Sequence, residues 1–143
     1  MNNFRRNLIF ISMLFANPVL IAAEFETPEQ AINSYITAVS TGSGTHIKKA
    51  YSDDATIKFY DREGRYWEYS MSTFAEAVDS GKDWDAEINI TALRVTDNAA
   101  SATVEFTWGD SQEHGYVDYL NLIKSDGYWK ISGKVAQYVS RNN

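Results

Sequence analysis

The sequence predicts an α+β domain, with two or three helices first and a strongly curved antiparallel sheet laid against them. Segments of helical period are confined to the chain before residue 82, at "TPEQAINSYITAVSTG", "THIKKAYSDDA" and "STFAEAVDSG". From residue 86 onward, runs of period 2 follow one another through short turns, which makes them sequential antiparallel neighbours. No repeat or linker interrupts the chain after residue 24, so the elements form a single unit that packs its helices on one concave sheet face.

The first helix is signalled at both ends. Thr27 is its N-cap, Pro28 occupies the first turn, Gln30 completes a capping box, and Gly42 stops it. Ile32, Tyr35, Ile36 and Val39 form its apolar stripe, with Tyr35 alone carrying a polar tip. The second helix is capped by Thr45, turns Ile47, Ala50 and Tyr51 inward, and ends in an Asp53-Asp54 turn. A hairpin follows, with a strand to Tyr60, the turn Asp61 to Gly64, and a return strand from Arg65 to Met71. Ser72 caps a third helix that points Phe74 and Val78 inward and stops near Gly81. The strands "AEINITALRV", "SATVEFTW", "YVDYLNLIK" and "YWKISGKVAQYV" complete the sheet, the last two joined at Ser125-Asp126-Gly127. Val104, Phe106 and Trp108 alternate with Thr103, Glu105 and Thr107, which gives that strand one apolar face.

Residues 1 to 23 stand apart from this unit. Arg5 and Arg6, the apolar "LIFISMLF", the break at Asn17-Pro18 and the small residues before Glu24 read as a signal peptide cleaved near Ala23. The apolar run is too short and interrupted to span a bilayer, so the mature domain at 24 to 143 is expected in the periplasm or outside the cell, free of the membrane. The chain has no cysteine, hence no lipid attachment site of that kind and no disulfide. Cleavage removes two of the 13 basic residues and no acid, leaving 11 against 19 and a net charge of about −8. Such a balance argues against nucleic acid and anionic lipid as partners.

Together, the capped first helix with its inward Tyr35, "YSDDATI", the hairpin, "STFAEAV", "AASATVEF" and "VDYLNLIKSDGYWKI" resemble the nuclear transport factor 2-like superfamily. Over residues 26 to 139 the sequence looks most similar to its putative lumazine-binding branch, near the SnoaL-like relatives. That resemblance implies a cone-shaped sheet around a pocket and, in many members, a homodimer through the outer sheet face. It implies no reaction, since one fold hosts many functions.

The strand from Tyr116 to Ile123 focuses the site question. One face shows Tyr116, Asp118, Leu120 and Leu122, the other Val117, Tyr119, Asn121 and Ile123. If the first face is concave, Asp118 enters the cone. A desolvated carboxylate there could act as a base, with Tyr35 or His114 donating to substrate. The same Asp118 could equally satisfy a structural cluster by accepting from a Tyr hydroxyl, the Trp129 indole or an arginine. Tyr35, Trp67, Phe74, Trp108 and Tyr116, with Asp118, are the expected ligand contacts. Val117, Tyr119, Asn121 and Ile123 form the expected dimer interface. His46 and His114 are too few for a zinc site, Asp53-Asp54 lacks a third ligand, and "GSG" at 42 to 44 follows no strand. No metal or cofactor is therefore expected. Three readings follow: a non-catalytic binder of a small apolar or aromatic ligand, an interaction module with a vestigial pocket, or an isomerase, lyase or cyclase using Asp118.

Overall fold

A computed structural model describes residues 24–81 and 83–141. The signal-peptide reading of residues 1 to 23 lies outside the described residues. Three helices, α1 (Pro28–Thr41), α2 (Gly44–Ala50) and α3 (Met71–Asp79), pack on six strands: β1 (Tyr51–Tyr60), β2 (Tyr66–Ser70), β3 (Glu87–Thr96), β4 (Ala99–Trp108), β5 (His114–Ser125) and β6 (Tyr128–Ser140). The strand order is β2-β1-β6-β5-β4-β3, in a curved sheet that does not close.

The capping box of α1 forms as its residues demand: Thr27 Oγ1 accepts from the Gln30 amide, and Gln30 Oε1 accepts from the Thr27 amide. Ala31, Ile32, Tyr35 and Ala38 are buried against the sheet, and Gly42 ends the helix at a φ of 66°. Gly44 explains the "GSG" stretch. A Cβ there would lie 2.4 Å from the Ala75 carbonyl oxygen, and its amide donates to Asp79 Oδ1 at 2.6 Å, so α2 and α3 meet backbone to backbone.

Three local expectations are corrected. Asp53 and Asp54 do not form a turn, because β1 begins at Tyr51 directly after α2 and carries them as exposed strand residues. Helix α2 is preceded by Ser43 at the cap position, not Thr45, and Ser70, not Ser72, caps α3 by accepting from the Thr73 amide at 3.2 Å. The sheet is also mixed. Every pairing of sequence neighbours is antiparallel, but β1 pairs with β6 in parallel. Short turns announce neighbours; nothing local announces a first strand lying beside the last.

β5 keeps strict alternation: Asp118, Leu120 and Leu122 are buried, while Tyr119, Asn121 and Ile123 are exposed. β6 does not. Ile131 pairs with Leu122 and Gly133 with Asn121, so Ser132 is an extra residue, a bulge that reverses the alternation beyond it. Lys134 and Ala136 consequently turn inward, and Val135 turns out to 55% exposure.

Candidate functional site

The concave face of the sheet and the helices enclose a cavity of about 300 Å³. Helix α1 contributes Tyr35 and Val39, α3 contributes Phe74 and Val78, and the sheet contributes Phe59, Phe106, Tyr116, Asp118, Lys134 and Ala136. Trp84, in the connection from α3 to β3, closes one side; its ring stacks on Phe106 with centroids 5.2 Å apart and an angle of 8° between planes.

At the floor, three polar side chains meet within this aromatic setting. Asp118, 1% exposed, accepts on Oδ2 from the Tyr35 hydroxyl and, at 3.2 Å, from Lys134 Nζ. Lys134, 8% exposed, also donates to Tyr35 Oη at 3.0 Å. Its ammonium lies 4.6 Å from the Phe74 ring centroid and 5.1 Å from that of Tyr35, so aromatic faces replace part of its lost hydration. Asp118 Oδ1 and the Tyr51 hydroxyl are buried without a hydrogen-bond partner among the described residues. Burial, and after it the Asp118 charge, hold both the Tyr35 and Tyr51 hydroxyls well above the ordinary phenol range. Tyr116 is pushed up to about 12, mainly by burial and then by the charges of Asp61 and Asp118.

Of the residues expected to contact a ligand, Tyr35, Phe74, Tyr116 and Asp118 line the cavity. Trp108 stands behind the wall, packed on Trp84 at 4.9 Å and stacked on Tyr116 at 5.9 Å. Trp67 lies on the exposed β2, where its ring stacks on Phe59 and its indole N–H donates to Asp61 Oδ2 at 2.8 Å; its cross-strand partner Phe59 reaches the cavity instead. His114 is not in the lining. Its Nδ1 is 2.7 Å from the Tyr138 hydroxyl, so the donor to substrate expected of it is not positioned there. Among the cluster partners weighed for Asp118, the Tyr hydroxyl is present; among the described residues neither Trp129 nor an arginine reaches it.

Lys134, Trp84, Phe59 and Phe106 were not among the expected contacts. Lys134 could be found only by suspecting a bulge, for which the Ser132-Gly133 pair inside a strand is the signal. On the convex face, Tyr119 at 56% exposure, Asn121 and Ile123 are open, Val117 is half-buried, and Tyr119 sits directly across from Val135. Among the described residues no three His, Cys, Asp or Glu side chains gather as a metal site, and no helix is long and apolar enough to cross a membrane.

Comparison with known proteins agrees with this architecture. The family model described as putative lumazine-binding matches residues 23–137. Among curated proteins, the aldolase FrzH of Cladobotryum sp. is 24% identical over 119 residues, covering 81% of this chain and 92% of the relative. Among solved structures, a nuclear transport factor 2-like protein of unknown function from Methylobacillus flagellatus superposes with a TM-score of 0.68 at 24% identity, over 79% of this chain and 90% of its own. A ketosteroid isomerase-like protein from Erwinia carotovora atroseptica superposes with a TM-score of 0.62 at 18% identity, over 78% and 93% of the two chains. A domain with a cystatin-like fold from Nostoc punctiforme gives 0.59 at 18% identity, over 81% and 78%. The chain belongs to the putative lumazine-binding family of nuclear transport factor 2-like proteins.

Proposed function

We propose that this domain is an exported, non-catalytic binder of a small, flat apolar or aromatic ligand, held in the concave cavity. The observation that carries the reading is the cavity's construction. Its volume falls at the lower end of small-molecule sites, and its walls are aromatic around a single charged pair. Phe74, Phe106 and Trp84 supply apolar faces for a ring, and Lys134 with Asp118 supply the polar groups that fix its orientation. Export rests on the signal-like residues 1 to 23. Native mass spectrometry with a library of bicyclic aromatic fragments tests the reading: retention of fragments by the wild type and their loss in Ala136→Phe, which fills the cavity, are expected. Retention of no fragment, or equal retention by the filled variant, would contradict it.

A second reading is favoured by Asp118 lining an aromatic-walled cavity beside a phenol, together with the aldolase among the relatives. On that reading Asp118 abstracts a proton α to a carbonyl, and Lys134 Nζ serves the developing oxyanion in place of Tyr35, whose hydroxyl proton is held by Asp118 Oδ2. Deuterium exchange into an aryl ketone, followed by NMR, separates the two. Protein-dependent exchange that Asp118→Asn abolishes selects catalysis; its absence with a bound ketone selects binding alone.

The convex face supports a homodimer, since Tyr119, Ile123 and Val135 form an exposed apolar patch around Asn121. Light scattering on wild type and Tyr119→Arg tests it. A dimeric mass that becomes monomeric in the variant is expected, and a monomeric wild type would refute it.

A further inference from the structure

We infer that Tyr119 of each copy seats in a polar pit on the convex face of a second copy of this chain. This rests on the homodimer reading above and states what would hold that dimer together. The bulge that turns Lys134 inward also makes the outer surface of β6 uneven. At Ser132-Gly133 a depression of about 270 Å³ opens, bordered by Thr56 and Lys58 of β1, Asn121 of β5 and Val135 of β6. Gly133 contributes no side chain to it; a Cβ there would meet the Thr56 carbonyl oxygen at 3.7 Å, an ordinary contact. The border is mostly polar, while Tyr119, Ile123 and Val135 around it form the exposed apolar patch. The pit therefore fits a side chain with an apolar body and a polar tip.

Tyr119 has that character. It stands at 56% exposure directly across from Val135, which borders the pit. The exposed tyrosines at the β1–β2 edge are engaged within their own chain: Tyr60 and Tyr66 pack with centroids 5.5 Å apart, and Tyr66 donates to Glu68 Oε2 at 2.9 Å. In a two-fold interface one patch meets itself, so the patch must carry both a projection and the recess that receives it. Tyr119 on β5 and the pit on β6 lie on neighbouring strands, and the rotation that seats one tyrosine seats the other. Once seated, the phenol can accept from Lys58, whose ion pair with Glu68 is long at 3.8 Å, and donate to the Asn121 side-chain oxygen. The competing account is a flat apolar contact, which would cover these polar groups without pairing them.

Sedimentation equilibrium on the wild type and three variants tests the seat. Gly133→Leu fills the pit from within an extended strand whose space admits a side chain, and a folded monomer is expected. Tyr119→Phe keeps the ring and loses one hydroxyl at each of two seats, so a dimer dissociation constant at least about tenfold higher is expected. Tyr119→Ala alone should be monomeric. Mixed in equal amounts with Gly133→Leu it should regain a dimeric mass, because one seat is then native and the other sets the added leucine against the vacated position. Dimerisation unchanged by Gly133→Leu or by Tyr119→Phe, or no recovery between the folded variants, overturns the inference and leaves the homodimer standing. Should Gly133→Leu fail to fold, Tyr119→Phe decides alone. A monomeric wild type removes both this inference and the homodimer reading.

Discussion

Strands β5 and β6 are neighbours of similar length, yet their polar residues obey opposite rules. In β5 the buried polar residue, Asp118, sits where simple alternation puts it, and Asn121, an odd number of positions away, faces out. In β6 the single extra residue at Ser132 exchanges the faces, so that a lysine is buried at 8% exposure and the adjacent valine is exposed at 55%. The charge of Asp118 in β5 is thus neutralised by a residue that regular alternation from Ile131 would have sent to solvent. A bulge re-aims a side chain next to a site, and here it assembles the ion pair. The pair is the buried link between the two strands; another side-chain hydrogen bond between them, His114 to Tyr138, lies nearer the rim.

Breaking that dependence should give the largest effect. Lys134→Met leaves Asp118 buried against Tyr35 alone, and a loss of about 3 to 5 kcal/mol in chemical denaturation is expected. Asp118→Leu combined with Lys134→Met removes both charges and should recover most of that loss, since a buried pair replaced by apolar groups is often neutral. A double variant as unstable as the single one would mean the residues act separately.

Tyr35→Phe comes next. It deletes one donor to Asp118 and one acceptor from Lys134 while keeping the ring, and about 1 to 3 kcal/mol should be lost. The same tyrosines predict the alkaline limit. Their folded values lie above the unfolded one, so above about pH 10 the unfolded chain releases protons that the folded Tyr35, Tyr51 and Tyr116 retain. Stability should therefore be flat below pH 9 on this account and fall steadily from pH 10 towards 12. In Tyr35→Phe the fall should be shallower.

The smallest effects belong to the convex face. In a monomeric background, Val135→Thr and Asn121→Ala should each change stability by no more than about 0.5 kcal/mol, because both side chains are exposed. Lys134→Met against Val135→Thr is then the sharpest contrast, with adjacent residues whose ranking by polarity is inverted by the bulge.

Much of this architecture is legible in the sequence because its signals are local. Thr27, Pro28 and Gln30 announce α1, the Asp126-Gly127 turn announces the last hairpin, and period 2 places Asp118 inward. What escaped depends on distant chain. The parallel β1–β6 pairing joins strands about 80 residues apart, and no turn chemistry encodes it. Trp84 lies in a connection without periodicity, so nothing but its stacking on Phe106 reveals it as a wall. Trp67 alternates correctly with Phe59, but the β1–β2 hairpin ends the sheet, leaving the tryptophan on an uncovered edge. Lys134 was hidden by one bulged residue, because a slip of one position reverses every side chain after it.

The central claim, that the concave face of these strands is the ligand site, is tested most directly by chemical-shift mapping with ¹⁵N-labelled protein titrated with a fragment from the bicyclic aromatic library. Shifts clustered at Val39, Phe74, Asp118, Lys134 and Ala136, with Tyr119 and Val135 unmoved, are the predicted result. Shifts gathered on Tyr119, Asn121 and Val135, or none at all, would contradict it.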